Sequence, residues 1–170
     1  MLECGAKKIN LEGSYPKLKM LAHNSYYQGI LQNLFCGSEG EIVAFLQLSY
    51  QKSLLCFHQS PLSKIITSIL QHDQKHIELL SDAIMTLGGN PMYYNNQKKF
   101  LSLRQIDYLS NPQSMLRADI ELKEKTIIDY KVAISKISNT NLKMYLERIV
   151  QDEKLHLKLL RQSLENISNI

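Results

Sequence analysis

Glycine and proline are scarce here, seven and four among 170 residues. That scarcity excludes a turn-rich all-β fold, which needs many of both. Tryptophan is absent, and cysteine occurs three times, as Cys4, Cys36 and Cys56. An odd count without a CxxC pair excludes a zinc knuckle and argues against a disulfide frame. The expectation is reduced thiols in a cytoplasmic protein, with Cys56, after Leu54 and Leu55, in the core. No window of about 18 apolar residues occurs, so no membrane span is expected. The opening MLECGAKKIN lacks the apolar stretch of a signal peptide. The formal charge is +4, but the lysines are scattered among acids without a long basic run, which argues against a nucleic-acid partner.

What is present is helical periodicity nearly throughout. Residues 1–23 read as an irregular arm, with Pro16 marking extended chain. Residues 24–35, NSYYQGILQNLF, make a short amphipathic helix opened by Asn24. After the break CGSEG, a helix over 41–58 has Ser38 as its expected cap, and Pro61 suits the first turn of the next, 62–87. Gly88-Gly89-Asn90-Pro91 stops that helix through a left-handed cap followed by proline. Residues 92–111 form a connection with room for one short helix near 99–109. Asn111-Pro112 opens a helix to Ile137, a polar turn covers 138–141, and a last long helix runs over 142–164. The expected organisation is an arm and short helix over 1–37, then an all-α four-helix bundle over 38–170. The bundle is two antiparallel hairpins joined by a long crossover.

The two hairpins repeat. QHDQKHIELL at 71–80 and QDEKLHLKLL at 151–160 each place an acid three residues before a histidine. A gapless offset of 80 residues also pairs Glu41 with Glu121, Tyr50 with Tyr130, Leu62 with Leu142 and Ile69 with Ile149. Positions i and i+3 share a helix face, so Asp73 points with His76, and Glu153 with His156. Both pairs interrupt apolar stripes, Ile69 to Leu80 in one helix and Ile149 to Leu160 in the other. A lone carboxylate on a core face is costly. Four acids and two histidines converging there compensate one another around two divalent cations. One imidazole per metal among carboxylates suits iron or manganese, with positions open for oxygen or peroxide. His72, His58 and His23 are expected to face elsewhere, and Tyr50 and Tyr130 to be core rings with bonded hydroxyls.

These phrases resemble the ferritin-like family of ferritins, bacterioferritins and rubrerythrins, over about residues 38–164. The resemblance rests on SEGEIVAFLQLSYQ, HDQKH, ADIELKEKTIIDYKVAI and QDEKLH, with the helix stop LGGNPMY. It implies a non-haem di-iron or di-manganese oxidoreductase that reacts with dioxygen or hydrogen peroxide, as a ferroxidase or peroxide scavenger, in a homo-oligomer. The implied ligands are Glu41, Asp73, His76, Glu153 and His156, with a third-helix acid. The internal repeat selects Glu121 for that acid, and Glu124 is a further candidate. Aligning Ala133-Ile134 with bacterioferritin-like sequences instead puts Lys123 there, an ammonium where a metal sits. Asp73 stands where the family has Glu. Gln74 stands where haem-binding members have methionine, so no haem is expected, and the scattered cysteines exclude a Cys-rich iron domain. The competing expectation is the same bundle with a degenerate site, serving as an interaction or assembly module.

Overall fold

A computed structural model describes residues 14–19 and 21–168. Among these are five α-helices: α1 Ser25–Cys36, α2 Glu41–Phe57, α3 Leu62–Thr86, α4 Pro112–Lys136 and α5 Thr140–Ser168. No described helix is long and apolar enough to cross a membrane. Helices α2 and α3 pair as one hairpin and α4 and α5 as the other, with 87–111 crossing between them.

Local chemistry sets most of the ends. Asn24 caps α1, its Oδ1 accepting from Tyr27 N at 2.9 Å. Gly88, at φ +82°, terminates α3, while Gly89 N donates to Ile84 O at 2.9 Å, satisfying a carbonyl of the last turn. Asn111 caps α4 through Ser114 N, with Pro112 in the first position. The expected Ser38 cap of α2 is not used. Gly40 occupies that position without a side-chain bond, and a Cβ there would meet Gly37 N at 2.8 Å. Helix α5 starts two residues before the expected 142, because Asn139 Oδ1 accepts from Leu142 N and caps the earlier turn. The short helix expected near 99–109 is a single 3₁₀ turn, Leu103–Gln105, capped by Ser102.

The apolar core comes in two blocks. One joins α1 to the ends of α3 and α4 and the start of α5, through Leu31, Phe35, Leu80, Ile84, Tyr130 and Leu146. The other lies at the opposite end, through Leu48, Leu55, Ile66, Met115, Leu116 and Leu160. Helix α1 therefore shares a core with the bundle, and Gln32 Nε2 ties it to the crossover at the carbonyls of Met92 and Tyr94, 2.7 Å each. Cys36 is a free, buried thiol. Cys56 is half-buried and disulfide-bonded, which corrects the expectation of a reduced core thiol at that position. Cys4 lies outside the described residues. Between the two apolar blocks, every long helix turns polar at once.

Candidate metal centre

That polar layer is built from Glu41 on α2, Asp73 and His76 on α3, Lys123 on α4, and Glu153 and His156 on α5, all buried. Helical spacing puts each acid and its histidine one turn apart on the inward stripe. One ligand atom each from Glu41, Asp73, His76 and Glu153 lies within 4.8 Å of the others. His156 Nδ1 faces the same centre, 3.3 Å from Glu153 Oε1 and 3.4 Å from Asp73 Oδ1.

Lys123 reaches into the layer from α4. Its Nζ donates to Asp73 Oδ1 and Oδ2 at 2.9 and 2.8 Å and to Glu153 Oε1 at 3.1 Å, with Glu153 Oε2 at 3.0 Å. Burial alone would lower the Lys123 pKa. The charges of Asp73, Glu153 and Glu41 outweigh that and hold the amine protonated far above neutrality. Burial pushes Asp73 up to about 6, against the pull of that ammonium.

The two histidines have different outer partners. His76 Nε2 lies 3.3 Å from Asp152 Oδ2, which also accepts from Tyr15 Oη at 2.5 Å, while Arg148 sits 2.6 Å from Asp152 Oδ1. Burial would raise the Asp152 carboxyl, but hydrogen bonds from His76, Arg148 and Tyr15 hold it well below the usual range. An ionised Asp152 fixes the His76 ring and leaves Nδ1 aimed at the carboxylates, as a metal-bound imidazole requires. His156 Nε2 instead meets His72 Nδ1 at 3.2 Å. Tyr130 Oη donates to Glu41 Oε1 at 2.7 Å, so the hydroxyl of that core ring orients an acid.

The donors fit a cation. His76 Nδ1 is 3.2 Å from Glu153 Oε1 and 3.5 Å from Glu41 Oε1. It hydrogen-bonds to neither, and Glu41 Oε2 also has no hydrogen-bond partner among the described residues. Buried polar atoms are nearly always satisfied. Two turned toward each other's ligand set, three carboxylates and an imidazole, have the chemistry of an iron or manganese site.

The sequence-derived residues divide clearly. Glu41, Asp73, His76, Glu153 and His156 come together. The two third-helix acids do not. Glu121 is 66% exposed and paired with Lys125 at 2.8 Å. Glu124 is half-exposed and paired with Arg161. Residues two apart on a helix lie about 200° apart around its axis, so burying Lys123 turns Glu121 outward. Sequence reasoning missed Asp152, which is buried beside His76. It also missed a second polar layer one turn away on α4. There Asp119 Oδ1 accepts from Gln47 and Gln51 Nε2, both at 2.8 Å, while its Oδ2 has no hydrogen-bond partner among the described residues. The spacing of Asp119 four residues before Lys123 was the available signal.

Four long helices, two hairpins, a long crossover and a central carboxylate–histidine cluster define a ferritin-like bundle. No protein-family model matches the sequence, and no curated protein matches it. Solved structures do. KatB, a manganese catalase from Anabaena, matches with a TM-score of 0.83 and 16% identity, over 95% of this chain and 81% of its own. A Rhodobacter capsulatus bacterioferritin, described with a metal-free dinuclear site and haem iron, matches with a TM-score of 0.69 and 19% identity, over 88% and 89%. A dodecameric thioferritin from Bacteroides fragilis, a bacterioferritin-related protein, matches with a TM-score of 0.67 and 16% identity, over 86% and 89%. The fold of this chain is ferritin-like.

Proposed function

We propose that this chain is a ferritin-like, non-haem metal oxidoreductase built on the dimetal plan, reacting with dioxygen or hydrogen peroxide as a ferroxidase or peroxide scavenger. The observation that carries this reading is the pair of buried ligand atoms, Glu41 Oε2 and His76 Nδ1, that lack a hydrogen-bond partner among the described residues and belong to a cluster that could hold a metal. Glu41, Asp73, His76 and Glu153 would hold iron or manganese, which when bound supplies the electrons that reduce the oxidant. The chain's residues do the rest. Asp152 holds His76 in the ligating orientation, Tyr130 holds Glu41, and apolar blocks on both sides keep bulk water from the layer. Likeness to a dodecameric relative supports assembly as a homo-oligomer.

Anaerobic loading with Fe(II) or Mn(II), then elemental analysis and measurement of oxygen or peroxide consumption, tests the reading. The wild-type chain is expected to retain metal in whole-number stoichiometry, and His76→Ala to lose it. Unchanged metal content in that variant would end the proposal. One observation favours a second reading: Lys123 already neutralises part of the cluster. On that reading the site is a salt-bridged core in an assembly module, and no metal is retained under any loading.

A further inference from the structure

We infer that Lys123 is a tethered cation standing at one of the two metal positions, so that the centre takes a single divalent ion beside it. This rests on the proposed function, because it requires that the Glu41–His76 side of the cluster bind metal.

Three observations converge on it. The first is where the ammonium sits. Nζ lies 2.8–3.1 Å from both oxygens of Asp73 and both of Glu153, the acids of the two acid-x-x-His phrases. A point charge contacting four carboxylate oxygens from two helices occupies the place of a bridged cation. The second is charge. The dimetal plan uses one acid from each of two helices and one from each acid-x-x-His pair, four in all, which balance two divalent ions. Here Glu41, Asp73 and Glu153 face one ammonium, and Glu121 and Glu124 lie outside. Three carboxylates less one ammonium leave two formal negative charges, the complement of one divalent ion. Adding a second ion while Lys123 stays would leave excess positive charge in a buried layer.

The third observation is the distribution of unmet bonds. On the lysine side, His156 Nδ1 meets Glu153 and its Nε2 meets His72. On the other side Glu41 Oε2 and His76 Nδ1 lack hydrogen-bond partners among the described residues, as does Glu153 Oε2, whose near neighbour at 3.0 Å is the Lys123 ammonium. Two of these three open valences, at Glu41 and His76, lie away from the ammonium, where one ion fits. The two departures from the family motif thus form one device: Asp73, a methylene shorter than glutamate, accepts both of its bonds from Lys123.

The test uses the full chain, stripped of metal and loaded anaerobically with Mn(II), read by elemental analysis and by paramagnetic resonance. The wild type is expected to hold one ion per chain with the spectrum of an isolated ion. Lys123→Glu is expected to double the stoichiometry and give the spectrum of a coupled pair. Two coupled ions in the wild type, or a single ion in Lys123→Glu, would overturn the lysine assignment and leave the proposed function standing. No ion in the wild type would overturn both. If Lys123→Glu does not fold, the wild-type count and spectrum decide alone.

Discussion

The two hairpins carry the same phrase but use it differently. In α2–α3 the upstream acid Glu41 points inward and is fully buried. Its counterpart in the repeat, Glu121, points into solvent, and α4 sends Lys123 inward instead. The tyrosines diverge too. Tyr130 is sealed in the core and bonded to Glu41, whereas Tyr50 lies at the half-buried margin against Tyr108. An internal repeat is therefore reliable where a second constraint fixes the helix face. The acid-x-x-His spacing does so on α3 and α5, and nothing equivalent does on α2 and α4.

Five substitutions probe that asymmetry, from the largest effect to the smallest. Lys123→Ala leaves Asp73 and Glu153 buried without their counter-charge, and breaking a buried pair in this way costs about 3–5 kcal/mol. Chemical denaturation of the metal-free protein measures it, and a loss below about 1 kcal/mol would show that the ammonium is not what holds the layer together.

Asp119→Asn acts on the acid that α4 does bury. Burial raises the Asp119 carboxyl from 3.8 to about 6, with the Gln47 and Gln51 bonds pulling the other way. Its contribution is favourable when it is protonated and is lost as pH rises through the folded value. Between pH 4 and 7 that amounts to roughly 3 kcal/mol, at about 1.4 kcal/mol for each pH unit separating the folded and unfolded values. The variant is expected to lose this slope and to gain stability relative to wild type as pH rises. Parallel denaturation curves for the two proteins at both pH values would contradict the assignment.

Tyr130→Phe removes a buried hydroxyl from an acid, a loss of about 1.5–3 kcal/mol, while Tyr50→Phe is expected to leave the melting temperature in place. Equal shifts in the two variants would erase the distinction between the halves. Glu121→Gln is the smallest. A surface pair screened by water holds little, so neither thermal stability nor metal content is expected to change. A fall in metal content there would restore Glu121 as a ligand.

The ferritin-like bundle and the four inward-facing residues of the two phrases, Asp73, His76, Glu153 and His156, were legible because helical periodicity and the acid-x-x-His spacing both repeat over whole turns. Helix α4 was not. Asp119, Glu121, Lys123 and Glu124 surround it, so a charged side chain is available on nearly every face. Choosing between them requires the rotation of the helix against its neighbours, which packing of residues such as Met115, Leu122 and Tyr130 sets. Asp152 was hidden for a related reason. It is one position from Glu153, on an adjoining face, and only the approach of α3 and Tyr15 buries it. The bond between Lys123 and Asp73 joins residues 50 apart in sequence, beyond the reach of any local pattern.

Residues 14–19 give the centre a latch. Tyr15 bonds Asp152, stacks under Arg148 and meets the His76 ring edge-on, while Lys17 O and Lys19 N are pinned to the Asn141 side chain. A chain clipped behind Lys19 would lose the lid over Asp152 and open a doorway to the imidazole. Trimming this short stretch would be felt at the heart of the bundle, some 137 residues away along the backbone.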